Sequence, residues 1–209
     1  MDTALLHPTY FPSIAQMAVM AQAGQLVFEV CDNYQKQTYR NRCYVAHAHG
    51  KLSLNVPIRH SRDGTRQRTI NLQPENDFPW IDQHWKSLQS AYRTSPYFEY
   101  YEDELQPLFL EKVNNLLQHN LQITKTLAEL IGISLSYRLT EVYSQTTPYA
   151  DYRNLVRAKG APEIRFEPYT QVFADRHGFL PNLSVLDLLF NLGPNTLGYL
   201  KTQEVTPFT

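Results

Sequence analysis

The segment from Leu5 to Cys31 constrains the fold more than any other part of the chain. Leu5 and Leu6 open a short strand that ends at His7-Pro8, where the proline forces an extended exit. Ser13-Ile14-Ala15-Gln16 then matches a capping box, in which a hydroxyl and an amide satisfy orphan N–H groups at a helix start. The spacing predicts a helix from Ile14 to Ala23, with Gly24 as the residue that ends it. Gln25 to Cys31 (QLVFEVC) is apolar and β-rich enough for a buried strand. Two neighbouring strands joined through a helix run parallel, because the crossover returns the chain to its starting end. The expected class is therefore α/β, with a mixed β-sheet that starts with this β-loop-α-β unit.

Downstream, Asn33 to Arg40 is polar and reads as a loop. Cys43 to Ala48 and Lys51 to Pro57 flank His49-Gly50 as an antiparallel hairpin. Residues 59–66 (RHSRDGTR) read as a mobile charged turn, and Arg68 to Leu72 as a further strand. Phe78 to Tyr92 carries Trp80, Ile81, Trp85, Leu88 and Tyr92 at helical spacing. Leu108 to Ile131 continues in the same period and closes at Gly132, so a helical insertion spans about 78–131. Residues 141–161 contain no clear element and read as a loop over a site. Ser184-Val185-Leu186-Asp187 forms a second capping box, whose helix stops near Gly193-Pro194. At 209 residues the chain fits one domain, 1–209, burying roughly 70% of its unfolded surface.

Several classes are disfavoured. Two cysteines make no disulfide framework, so a reducing compartment is expected. Met1 to Leu6 lacks the basic start of a signal peptide, and no run of about 18 apolar residues exists. A cytoplasmic protein without membrane insertion is the expectation. Net charge is −1 and the pI near 6.6, whereas whole-domain nucleic-acid binders usually exceed about 9. The charge is unevenly spread. Between 36 and 68 stand Lys36, Arg40, Arg42, Lys51, Arg59, Arg62, Arg66 and Arg68 against Asp63 alone. A basic block in a neutral chain points to a phosphate, carboxylate or nucleotide ligand. The competing reading is a solvated loop answering the acidic middle segment.

The candidate chemistry centres on Asn33 to Cys43. Arg40 and Arg42 can grip phosphate or carboxylate with two parallel hydrogen bonds, and Lys36 adds a point charge. Tyr34 and Tyr39 can stack on a sugar or base, and Gln35 and Asn41 offer amides. The loop HPTYFP adds Tyr10, together with His7 as a phosphate contact or proton donor beside a helix N-terminus. His84, in the first central helix, is a second proton-transfer candidate. Cys43 beside Arg42 could be a thiolate of lowered pKa, although lone strand cysteines are mostly buried hydrophobes. His47 and His49 share a strand face with His60 nearby, yet no third ligand at recognised spacing follows, so no metal is expected. Neither GxGxxG nor GKS/T occurs, and no cofactor is implied. Asp187 is best explained as the capping-box acid.

The blocks HPTYFP, NYQKQTYRNRCYV, LSLNVPI, HWKSLQSAYRTSPYFEYY and YTQVFADRHGFLPNLSVLDLLFNLGP together resemble the WbqC-like protein family, in its short, Bacteroidetes-type form. They run from His7 to Pro194. The positions matching the most characteristic motifs include Pro8, Tyr10, Gln35, Lys36, Arg40, Asn41, Arg42, His84, Tyr92, Gln171, Asn182, Ser184 and Asp187. His7 stands where the family usually has Gln, and His47 and His49 lie outside the pattern. The resemblance implies a bacterial protein of surface-polysaccharide (O-antigen, lipopolysaccharide) gene clusters, transferring or modifying groups on nucleotide-linked sugars.

The expected function is a group transferase acting on a phosphate-bearing small molecule, such as a nucleotide-linked sugar. Arg42, His84 and His7 are its catalytic candidates. The alternative is a non-catalytic binding or assembly protein that uses the same basic segment. A purely structural role would be favoured if the arginines were buried against acids with no adjoining cavity.

Overall fold

The computed structural model describes residues 3–59, 61, 64–160 and 164–207. Strands β1 (Thr3–Leu6) and β2 (Gln25–Phe28) pair in parallel through α1 (Ile14–Gln22), as the opening segment predicts. The α/β class holds, with its two strand directions kept in separate sheets. The antiparallel hairpin of β3 (Arg42–His47) and β4 (Gly50–Asn55) stands apart from the parallel sheet. Two short strands complete the latter, giving the order β5-β2-β1-β6, with β5 at Tyr137–Leu139 and β6 at Ala150–Asp151. Both pair in parallel with their neighbours. The segment 141–161 therefore holds an edge strand, which two residues are too few to signal by alternation.

Helix α1 is buried from Ile14 to Met20, which is why its sequence is apolar on every side. It lies against α6 (Val185–Leu192) and α7 (Thr196–Thr202). The middle of the chain is helical: α2 (Trp80–Tyr92), α3 (Phe98–Leu105) and α4 (Leu116–Ile131), followed near the end by the short α5 (Ala174–His177). Gly132 closes α4 at φ 84°, a left-handed conformation that glycine adopts at little steric cost. Three expectations change. Thr69–Asn71 is a 3-10 turn, and Arg68 makes only an isolated bridge to Asn33, so no strand forms at 68–72. The periodic run 108–131 is divided, because Gln106–Phe109 is a separate 3-10 turn and α4 starts only at Leu116. Helix α1 leaves through an extended Ala23 (ψ 138°) rather than through a left-handed glycine.

Both capping boxes form only their hydroxyl half. Ser13 Oγ accepts from Gln16 N at 3.4 Å, while the Gln16 side chain turns aside to accept from Thr9 Oγ1. Ser184 Oγ accepts from Leu186 N, and Asp187 turns into the core. There its carboxylate accepts from Tyr92 Oη (2.8 Å), Tyr169 Oη (2.5 Å) and Gln171 Nε2 (2.9 Å). Tyr92 Oη also accepts from Ala46 N, so this network ties α2, α6, β3 and the 169–171 segment together. Every donor around Asp187 points at an acceptor that Asn can replace on only one side. Asp187→Asn is expected to cost about 2 kcal/mol of stability in urea unfolding, the usual penalty for stranding a buried donor. An unchanged midpoint would mean that the network is dispensable.

Candidate functional site

The first turn of α1 is closed to ligands. Ile14 N donates to Leu183 O, Ala15 N to Asn182 Oδ1, Gln16 N to Ser13 Oγ and Met17 N to Ser13 O. The orphan N–H groups of Ile14, Ala15 and Gln16 are thus spent within the chain, and Met17 N makes the first intrahelical bond. The anion site expected at this helix end is therefore absent. HPTYFP instead folds inward, with Phe11 at φ 41° stacked on Phe109 (centroids 5.3 Å apart).

The polar cavity lies at the carboxyl ends of the parallel strands. From β1 the chain crosses over to β2 on one side, and β6 adds on the other. That makes the β1/β6 boundary a topological switch point, where open α/β sheets form ligand crevices. A cavity of about 470 Å³ opens there, lined by His7 just after β1, Asp32 just after β2, Asp151 at the end of β6, and Arg40, Arg153 and Arg157.

Arg40 is the centre of this group and only 1% exposed. Its Nη2 donates to Asp32 Oδ2 at 2.5 Å, and Asp32 Oδ1 accepts from Thr69 Oγ1 at 2.6 Å. His7 Nδ1 lies 3.2 Å from Glu29 O, and a carbonyl only accepts, so Nδ1 carries the ring proton. Nε2 then holds the lone pair and accepts from Arg40 Nη2 at 3.1 Å. Burial first, and the Arg40 charge second, hold the His7 pKa well below its ordinary 6.5. His7 is thus neutral at pH 7, a fixed acceptor that orients the guanidinium. Arg40 Nε and Nη1 are buried and have no hydrogen-bond partner among the described residues. Arg153, by contrast, is fully engaged: it pairs with Asp151 and donates to the carbonyls of Ser144 and Gln145. It ties residues 144–153 together beside the cavity.

The loop after β2 continues the cleft. A middle lobe of about 690 Å³ shares Asp32, Gln35 and Tyr143 with the sheet-edge cavity and adds Tyr34, Lys36, Arg66 and Arg68. A third lobe of about 750 Å³, beside the hairpin, shares Tyr34, Lys36 and Arg66 with the middle one. It adds Asn41, Arg42 and the apolar Val56, Pro57 and Ile58. Tyr34 Oη donates to Asn41 Oδ1, and Asn41 Nδ2 donates to Val56 O, so the dividing wall is internally bonded.

The structure gathers Tyr34, Gln35, Lys36, Arg40, Asn41, Arg42 and His7 along this cleft. It takes others elsewhere. Tyr10 is fully buried, with its Oη 2.8 Å from His84 Nδ1, and both pack with Trp80. Burial lowers the His84 pKa to about 4, against an opposing hydrogen bond with the Asn55 backbone. Tyr39 is buried edge-on against Tyr44, its hydroxyl pushed up to about 12 chiefly by burial. Burial pushes the Cys43 thiol well up, so Arg42 does not make it a thiolate. The His47 and His49 rings lie tilted with centroids 5.9 Å apart, His47 also beside Phe173, and among the described residues no group of three or more His, Cys, Asp or Glu could hold a metal. His60, Arg62 and Asp63 lie outside the described residues.

Sequence reasoning missed Asp32, Tyr143, Asp151, Arg153 and Arg157 as cleft residues. The one signal for Asp32 was a carboxylate directly after an apolar strand, at the end where such sheets bind ligands. The other four come from the segment that read as a featureless loop.

The WbqC-like protein family profile matches residues 7–164. A protein of Mycobacterium tuberculosis titled Uncharacterized protein Rv1507c is 23% identical over 225 residues, covering 95% of this chain and 96% of its own. No solved structure matches.

Proposed function

We propose, from the premise that the chain belongs to the WbqC-like protein family, that it is a cytoplasmic group transferase acting on a phosphate- or nucleotide-linked sugar in bacterial surface-polysaccharide biosynthesis. One observation carries the reading: the buried Arg40 guanidinium lines a cavity at the strand ends while two of its nitrogens lack partners among the described residues. A buried, half-satisfied cation is costly, and an anion in the adjoining cavity would offset part of that cost by its opposite charge. A purely structural role would bury Arg40 against Asp32 with no cavity beside it, and here the cavity is present. Arg40 and Arg157 would hold the phosphate and stabilise charge that develops on the leaving oxygen. His7 would act by positioning Arg40. No helix among the described residues is long and apolar enough to cross a membrane.

Binding without turnover is the second reading. It is favoured by the position of His84 inside the aromatic cluster, and by the pairing of both cavity aspartates with arginines.

Thermal unfolding against UDP-, GDP- and dTDP-sugars, acyl-CoAs and simple phosphates tests both. A ligand present at 100 times its Kd adds about 2.7 kcal/mol, a rise of about 5–10 °C for a chain this size. Arg157→Ala removes an exposed cation of the same cavity and is expected to shrink that rise without moving the unliganded melting point. No shift across the panel would sink the phosphate-ligand reading. A shift without turnover in any donor–acceptor mixture would favour binding alone.

A further inference from the structure

Group transfer needs a donor and an acceptor, and the cleft offers two arginines that face different lobes. Of the three lobes, Arg40 lines the sheet-edge one and Arg42 the hairpin one, and among the described residues those two lobes share no lining residue. One short 3-10 turn, Tyr39–Asn41, together with the first residue of β3, delivers both. Each guanidinium has a buried Nε without a hydrogen-bond partner among the described residues. The two lobes differ in character. The sheet-edge lobe is walled almost wholly by polar groups, with aspartates beside its arginines. The hairpin lobe has Arg42, Lys36 and Arg66 as its described charges, set against Val56, Pro57 and Ile58, with the Tyr34 ring as a wall.

We infer that the hairpin lobe is a second ligand site, occupied at the same time as the sheet-edge site, and that it takes an anion carrying a flat or aliphatic apolar body. This deepens the group-transfer reading and rests on it for the need of a second substrate. Arg42 and Lys36 would bind the anionic group, and Val56, Pro57 and Ile58 would cover the apolar body. Polar phosphate-bearing ligands without such a body would stay at Arg40. The two ligands would meet in the middle lobe, between Gln35, Lys36 and Arg66, which that lobe shares with its neighbours.

Two simple probes separate the sites: 1-naphthyl phosphate, followed by its own fluorescence, and inorganic pyrophosphate, followed by calorimetry. Arg42→Met keeps the aliphatic stem and is expected to weaken naphthyl phosphate about tenfold or more, the loss of one charge-assisted contact. Pyrophosphate affinity should stay within about twofold in that variant. Lys36→Ala, on an exposed residue, serves as a second variant should Arg42→Met fold poorly. In the wild-type chain, saturating pyrophosphate should leave naphthyl phosphate bound. Displacement of one probe by the other, or equal loss of both in Arg42→Met, would overturn the second site while leaving a single anion site intact. Binding of naphthyl phosphate through Arg42 with no pyrophosphate binding would keep the second site and remove the sheet-edge reading. Binding of neither probe would remove both.

Discussion

Acidification from pH 7 to pH 5 is expected to lower the unfolding free energy steeply, by up to about 4 kcal/mol per pH unit once the pH passes below 6. The cause is a set of three histidines, His7, His84 and His119, all held neutral in the folded chain. Burial is the leading cause in each case and lowers His84 and His119 to about 4, and His7 well below its ordinary value. In the unfolded chain each takes a proton near pH 6.5. Below that pH the unfolded state binds more protons than the folded one, so stability falls as pH falls, and unfolding takes up close to three protons. Asp187 acts in the opposite sense. Burial raises its pKa despite three donors, so the folded state binds its proton first, offsetting at most one proton at the acid end. Urea unfolding at a series of pH values measures the slope directly. His84→Gln should remove about one third of it, because Gln carries no titrating group. A slope of less than one proton between pH 6 and 5 would show that these imidazoles are already charged in the fold.

Arg40→Ala is expected to destabilise the chain by about 3–5 kcal/mol, the cost of leaving a buried carboxylate without its cation. Asp32 would keep only the Thr69 hydroxyl and the His7 ring, whose Nε2 lies 3.8 Å from Asp32 Oδ2. With the guanidinium gone, one force that lowers the His7 pKa disappears and an unpaired carboxylate faces the ring. His7 should then titrate higher in the variant, and its protonation below that pKa would partly replace the lost cation. The penalty is therefore predicted to be larger at pH 8 than at pH 6, a difference that simple loss of packing would not produce. Asp32→Asn combined with Arg40→Met should cost less than Arg40→Ala alone, since neither charge is then stranded. Equal penalties at both pH values would separate His7 from the Arg40–Asp32 pair.

The cleft shows where a loop reading reaches its limit. Asn33 to Cys43 announced a basic, polar surface through its residue types, and the structure lays Tyr34, Gln35, Lys36, Arg40, Asn41 and Arg42 along the cleft. The helix N-terminus at Ser13 looked suited to an anion, yet it is spent on Leu183 and Asn182. Those partners lie about 170 residues away along the chain, so no local pattern could announce them. Ser184 and Asp187 give the same lesson. The spacing of a capping box is local, but the donors that turn Asp187 inward come from α2 and from residues 169–171.

Local chemistry, then, was enough for the α/β class, the parallel opening unit, the hairpin, the helical middle and the basic character of the loop after β2. These depend on side-chain period, turn residues and charge, which act over a few residues. Tertiary structure alone decided that β6 completes the sheet beside β1, that Arg40 meets Asp32 and His7 at that edge, and that Arg40 and Arg42 open into different lobes. Each of these depends on which distant segment supplies the wall, the carboxylate or the missing hydrogen-bond partner. Contact between segments far apart in sequence is set by packing of the whole core, and a single chain carries no periodic trace of it.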